Sequence, residues 1–354
     1  MTGLSWVAVL LSFCMSLVAL VVFRKMAPSW GLLDHPSERK LHRVNTPLIG
    51  GIAVACGIAA SLIWWMPFSP LISSFLVGAA VVAFVGVLDD IYDISVRIRV
   101  VGQILAGCVV IISGDTYLMS LGNLVGLGDI HLGILALPFT LFAAVGVMNA
   151  FNMIDGIDGL LGVSSLIALT GFTVLSMLSG NHMLVWLGTV CIASLLPYFF
   201  SNLQADGHSF KVFMGDAGSL LMGFTVTWLF IVGSQSHLTS TVVIDPVTTL
   251  YLVAVPLMDI LTVMARRVKQ KRSPWLADRQ HIHHLFEKAG YSQKQTLIRL
   301  TLIMTAIAGL GVILQYTNAA EWVRFVVIVV VLFGYIGLTK YLKGQMSRIE
   351  RTEN

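Results

Sequence analysis

Eleven stretches of this chain are apolar for about fifteen to twenty residues each, long enough for most of them to cross a bilayer as helices. They run over 4–23, 48–66, 70–88, 100–114, 132–151, 159–178, 183–201, 216–233, 247–265, 299–316 and 322–340. A backbone in hydrocarbon must satisfy its own hydrogen bonds, which helices do within one segment. The expectation is therefore an all-α, polytopic membrane bundle of about 11 transmembrane helices, with residues 1–354 forming a single integral membrane domain. Charged residues make up 11% of the chain, against about 25% in soluble proteins, and leave no room for a separate soluble domain. The fourth stretch is short and is expected to start earlier, with Arg97 and Arg99 snorkelling to the interface. The first has no basic residues before it and reads as an anchor, not a cleaved signal. Cys14, Cys56, Cys108 and Cys191 each lie within an apolar run and form no Cys-x-x-Cys, so neither disulfides nor a zinc knuckle are indicated.

Lys and Arg orient the bundle. A cytoplasmic 24–47 connection puts Arg24, Lys25, Arg39, Lys40 and Arg43 inside, together with Arg97, Arg99, Lys211, the basic 266–294 loop, Arg299 and the tail. Of the 22 Lys and Arg, Arg324 alone is left outside. The N-terminus is then periplasmic and the C-terminus cytoplasmic, and an odd span count is required.

The same orientation gathers the unusual polar residues at one membrane face. Asp89-Asp90 and Asp93 close the third span. Asn149, Asn152, Asp155 and Asp158 recur at steps of three where the fifth span meets the sixth. On an unbroken helix each such step lags a full turn by about 60°, so one site can collect all four only if the helix breaks. Gly156 and Gly159 permit that break. An Asn/Asp/Gly loop between two helices accounts for the spacing equally well. Lys211-Val-Phe-Met-Gly215-Asp216-Ala-Gly218-Ser219 opens the eighth span. Asp259 sits about 9 Å inside the cytoplasmic end of the ninth, ahead of a basic loop carrying His281-Ile-His283-His284.

Carboxylates and an amide facing basic loops suit a hard divalent cation and phosphates. Mg²⁺ takes oxygen ligands and bridges one or two carboxylates to substrate phosphates, while Arg and Lys hold the remaining charge. The Gly215-Asp216-Ala-Gly218 turn is expected to present a helix N-terminus to an anion. Together these are the parts of phosphoryl transfer. Blander readings exist for each: Asp89-Asp90 as a solvated helix end, Asp259 as an i+7 partner of Arg266, the basic loop as purely topogenic. The histidine spacing does not fit zinc.

These motifs, in this order, resemble the polyprenyl-phosphate N-acetylhexosamine-1-phosphate transferases. The resemblance covers nearly the whole chain, including Arg39-Lys40 with His42, Thr46-Pro47 before Gly50-Gly51, and Pro256-Leu-Met-Asp259. It implies UDP-N-acetylglucosamine as donor, undecaprenyl phosphate as lipid acceptor, and Mg²⁺ (or Mn²⁺) as cofactor, in the bacterial inner membrane with the site facing the cytoplasm. No nucleic-acid partner is expected. The product would be the lipid-linked sugar diphosphate that starts O-antigen or related surface polysaccharide synthesis. The peptidoglycan translocase of the family has three consecutive histidines; Ile282 interrupts them here, which argues against a muramoyl-pentapeptide substrate. Residue by residue, the resemblance implies that Asp216 and Asn152 hold the metal and that Asp89 or Asp90 meets the lipid phosphate. Arg99 would contact the diphosphate, and Asp155 and Asp158 would shape the nucleotide site. Arg39, Lys40, His42, Asn149, Lys211, Arg267, His281, His283 and His284 would bind substrate. Direct attack and a covalent phospho-Asp intermediate both satisfy the sequence.

Two rival classes fit less well. An aspartate-rich prenyltransferase would need a second helix like Asp89-Asp90-Ile-Tyr-Asp93. A transporter should carry charges near the midplane of related halves, and no half-repeat is present.

Overall fold

The computed structural model describes residues 3–34, 44–239, 241–271 and 280–353. Arg39, Lys40 and His42, expected to bind substrate, lie outside the described residues. Among the described residues, the regular structure is helical apart from one small strand pair. Helices α1 (Gly3–Trp30), α2 (Gly50–Trp65), α3 (Pro70–Tyr92), α4 (Val96–Gly114), α5 (Ala136–Ile154), α6 (Leu160–Leu178) and α7 (His182–Asn202) form the first half. The second half holds α8 (Gly215–Ser234), α9 (Pro246–Leu252), α10 (Ala254–Lys269), α11 (Ile282–Lys288), α12 (Gln293–Tyr316) and α13 (Glu321–Glu353).

All eleven expected segments are helical, but two depart from simple spans. Nine of the described helices are long and apolar enough to cross a membrane, ten with α9 and α10 counted as one broken span, so this is a multi-pass membrane protein. The expected continuous helix over 247–265 is bent by 85° between α9 and α10. Val253 leaves helical geometry at φ −119°, ψ 24°, and Pro256 lacks the N–H that would bond to the Leu252 carbonyl. The expected span 48–66 is shorter as a helix, Gly50–Trp65, because Leu48 and the residues just before it are drawn into extended structure. Thr46–Pro47 (β2) pairs antiparallel with Leu33–Asp34 (β1), and Leu48 bridges to Phe213. The remaining 16 residues of α2 reach about 24 Å, short of a hydrocarbon core of about 30 Å.

The bundle is built around α8, which is buried along its whole length from Ala217 to Ser234. It packs against α2, α3 and α5. Close approach at its start depends on missing side chains. A Cβ on Gly51 would lie 2.2 Å from the Gly218 Cα, and one on Gly86 2.2 Å from the Ala217 Cα. The first turn of α8 is thus wedged between α2 and α3, and this fixes where Asp216 sits.

Candidate active site

A cavity of about 730 Å³ opens at the end of the bundle where α3, α5 and α8 meet. Eight aspartates line it: Asp34, Asp89, Asp90, Asp93, Asp155, Asp158, Asp206 and Asp216. Asn152, His284 and Gln293 join them.

Asp89 and Asp90 occupy the last turn of α3. The connection to α4 is three residues long, with Asp93 in the left-handed region at φ 49°, so the two helices run back to back. Arg99, in the first turn of α4, therefore faces Asp89 and pairs with it at 2.8 Å. The expectation that Arg99 snorkels outward is corrected: its side chain is 16% exposed, and its buried Nε has no partner among the described residues. Arg97 is the exposed one.

Asp90 corrects a second expectation. The amides at the start of α8 are not open to a substrate phosphate. Asp90 Oδ1 accepts the Asp216 N–H at 2.8 Å and Oδ2 the Ala217 N–H at 3.2 Å. A carboxylate at the positive end of the helix dipole satisfies amides that would otherwise lack partners. Gly215 is left-handed at φ 71°, and a Cβ there would lie 2.6 Å from Asp90 Oδ2.

Asp216 projects from the same turn. Asn152 donates its amide to Asp216 Oδ1 at 2.5 Å and to Ser219 Oγ at 2.9 Å. The amide and carboxylate expected to share a metal thus stand side by side across α5 and α8. Helix α5 ends at Ile154, and the turn that follows carries Asp155 and Asp158 into the cavity. Burial, and then the charges of Asp216 and Asp158, push Asp155 up to about 8. Gly159 caps α6 in the left-handed region at φ 80°. Its N–H donates to Asn202 Oδ1 at 2.6 Å, and Asn202 donates in turn to the Val212 carbonyl at 3.0 Å. Lys211 is buried and pairs with Asp158 at 2.5 Å and Asp206 at 2.7 Å. Burial works against its charge, but the hydrogen bonds to both carboxylates outweigh that and hold its pKa above the ordinary value.

Among the four residues at steps of three, Asn149 is the one the cavity does not collect. It is buried, with its amide donated to Gln103 Oε1 at 2.8 Å and to the Val145 carbonyl at 2.7 Å.

The histidines divide. Asp259 does not serve as an isolated helix-face pair. It accepts from the Ile282 N–H at 2.9 Å and the Tyr335 hydroxyl at 2.9 Å, and meets His281 Nδ1 at 2.7 Å. His281 is thereby a structural anchor for α11 and does not line the cavity. His283 is 1% exposed and packs on Gly156, where a Cβ would lie 2.0 Å from its Nε2. Burial, and then His284, hold its pKa down to about 3, so it is neutral at pH 7. His284 lines the cavity. Arg267 is buried on α10 and does not line it.

Sequence reading missed Asp34, Asn202, Asp206, Gln293 and Tyr335. Asn202 sits in no motif, and nothing marks Tyr335 within its apolar run.

The donor set fits a hard cation: carboxylates and an amide converge with few cations among them. Among the described residues, no three His, Cys, Asp or Glu side chains close a metal site by themselves. A cation here would need oxygens from substrate, which is how Mg²⁺ is commonly held on phosphates.

A second concavity, of about 430 Å³, is almost wholly apolar. It is walled by α5, α8, α9 and α10 and by the 118–124 segment, and Asn149 is the last residue of α5 to line it.

Comparison with known proteins agrees with this geometry. Glycosyl transferase family 4 matches residues 72–234, which hold Asp89, Arg99, Asn152 and Asp216. A protein of Escherichia coli O157:H7, named undecaprenyl-phosphate alpha-N-acetylglucosaminyl 1-phosphate transferase, is 40% identical over 347 residues, covering 96% of this chain and 94% of its own. The Yersinia pestis protein of that name is 40% identical over 326 residues, covering 91% and 88%. The Haemophilus influenzae one is 35% identical over 357 residues, covering 97% and 98%. Likeness at this level over nearly the whole length places the chain in glycosyl transferase family 4, among the proteins of this kind.

Proposed function

We propose that this chain transfers N-acetylglucosamine 1-phosphate from UDP-N-acetylglucosamine to undecaprenyl phosphate, releasing UMP, at the cytoplasmic face of a bacterial inner membrane. The observation that carries this reading is a juxtaposition. Asn152 lines the acidic cavity and Asn149 the apolar groove, and the two are three residues, about 4.5 Å of helix, apart. A diphosphate sugar nucleotide and the head of a long prenyl phosphate can therefore meet at the end of α5.

In the reaction a phosphate oxygen of the acceptor attacks the β-phosphorus of the donor. The P–O bond to UMP breaks, UMP carries the electron pair away, and the lipid-linked sugar diphosphate forms. The acceptor phosphate is already an anion at pH 7, so no proton need be removed from it. A divalent cation, for which we assign Asp216 and Asn152 as protein ligands, would neutralise charge building on the leaving group. Asp90 does not meet substrate in this arrangement; it fixes the turn that aims Asp216. Arg99, held by Asp89, has guanidinium donors left for phosphate. Lys211 holds Asp158 and Asp206 against the cavity wall. The lipid product suits the start of O-antigen or related polysaccharide synthesis.

The test is UMP release from UDP-N-acetylglucosamine, measured with and without added undecaprenyl phosphate and across Mg²⁺ concentrations. Release should depend on both. Asp216→Asn is nearly isosteric and should insert normally, yet raise the Mg²⁺ midpoint and slow turnover by at least about a hundredfold. Asn152→Ala should cost less, because a neutral ligand contributes less to a hard cation. An unchanged rate and midpoint in Asp216→Asn would remove Asp216 from the metal.

A further inference from the structure

The short helix α9 has two working faces. Pro246, Val247, Thr249 and Leu250 line the apolar groove. Asp245, Thr248 and Tyr251 recur at intervals of three and point the other way, onto one arginine. Arg324 of α13 is 4% exposed. It pairs with Asp245 Oδ2 at 2.7 Å and donates to Thr248 Oγ1 at 2.8 Å. Its carbonyl accepts the Tyr251 hydroxyl at 2.5 Å. Gln315 of α12 completes the grip, accepting the Asp245 N–H at 3.2 Å and donating to the Val243 carbonyl at 2.9 Å.

This grip lies far from the chemistry. Helix α8 runs from Asp216 in the acidic cavity to Ser234 at the far end of the groove, about 27 Å at helical rise. The ion pair is a weak source of net stability, because Arg324 gives up its hydration while the Asp245 side chain stays 28% exposed. Its value here is placement. Seven residues cannot hold a helix unaided, and the 85° bend removes support from α10. What fixes α9 as a groove wall is the contact behind it.

We propose that Arg324 is a positioning residue for the lipid acceptor. Through Asp245 and Thr248 it holds α9 as the distal wall of the groove, and so sets how tightly a long prenyl chain is gripped. The inference rests on the reading that this groove takes the acceptor's chain, and the test separates the two.

The experiment uses the full-length protein and two acceptors, undecaprenyl phosphate and geranyl phosphate, the second too short to reach α9. Arg324→Lys keeps the charge and loses the planar fork. Thr248→Val keeps the volume and loses one hydrogen bond, so it carries the test should Arg324→Lys not fold. Phe230→Trp intrudes on the groove from α8. Arg324→Lys should raise KM for undecaprenyl phosphate about tenfold, and Thr248→Val about threefold, with kcat and the KM for UDP-N-acetylglucosamine in place. The KM for geranyl phosphate should not move. If Phe230→Trp raises KM for the long acceptor and neither clamp variant does, the groove takes the chain and Arg324 does not position it. If Phe230→Trp leaves that KM unchanged as well, the groove reading itself falls and takes the inference with it. Equal KM increases for both acceptors in the clamp variants would show a general loss of fold and overturn the proposal.

Discussion

Arg97 and Arg99 are two residues apart in sequence, and the fold gives them opposite surroundings. Arg97 is exposed at the start of α4, while Arg99 turns inward to Asp89. A charge needed only for topology is indifferent to the shape of its head group; a phosphate-binding fork is not. Arg99→Lys should therefore lower the transfer rate at least about tenfold, on the order of 1.4 kcal/mol, with normal membrane insertion, and Arg97→Lys should match wild type. The reverse pattern would mean the wrong arginine has been assigned. At this scale the sequence was readable for residue type and poorly readable for orientation. Asp89-Asp90 stood out as an acidic pair, but Asp89 engages Arg99 and Asp90 caps a helix 126 residues away. Two adjacent carboxylates on one helix turn point in different directions, and only the neighbouring helices decide what each one meets.

The turn after α5 shows how far spacing alone can be taken. Polar residues at steps of three required a helix break to share one site, and the break is there after Ile154. Asn149 sits three residues further into α5 than Asn152 and falls outside the cavity, as the 60° lag per step demands of residues left on regular helix. What spacing could not give is the element that closes over the turn. Helix α11 is anchored through His281 and Asp259, which are 22 residues apart, and it delivers His283 onto Gly156. The contact allows no side chain, so Gly156→Ala should abolish most activity by displacing α11 or the Asp155 turn. His283→Ala in the same chain removes the ring that a new Cβ would strike and should recover part of the loss. UMP release and thermal stability of the single and double variants measure this. A fully active Gly156→Ala would show that His283 does not rest there during turnover.

Across the whole molecule, polar residues divide between two ends of the bundle. Asp89, Asn152, Asp216 and Gln293 surround the acidic cavity. Gln235, Asp245, Gln315, Glu321 and Arg324 tie the opposite end together, where Gln235 accepts from the Met119 and Ser120 amides and Glu321 from the Asn123 amide. The repeated apolar runs made the helical bundle legible, since a continuous apolar run of that length satisfies its own backbone in lipid as a helix. The groove was not legible, because residues such as Phe142 or Leu257 that wall it look no different in sequence from residues facing lipid. Arg324 was legible only as the one basic residue on the far side. Orientation is the property that connects these ends to the cell. The excess of Lys and Arg near the cavity end predicts that this end is cytoplasmic. In a background with Cys14, Cys56, Cys108 and Cys191 replaced, Met346→Cys in the tail of α13 should resist an impermeant maleimide in intact spheroplasts and react in inverted vesicles. Asp129→Cys, exposed in the loop between α4 and α5, should behave in the opposite way. Labelling of Met346→Cys in intact spheroplasts would turn the bundle over. The acidic cavity would then open to the periplasm, away from any cytoplasmic sugar nucleotide, and the proposed donor would have to be abandoned along with the orientation.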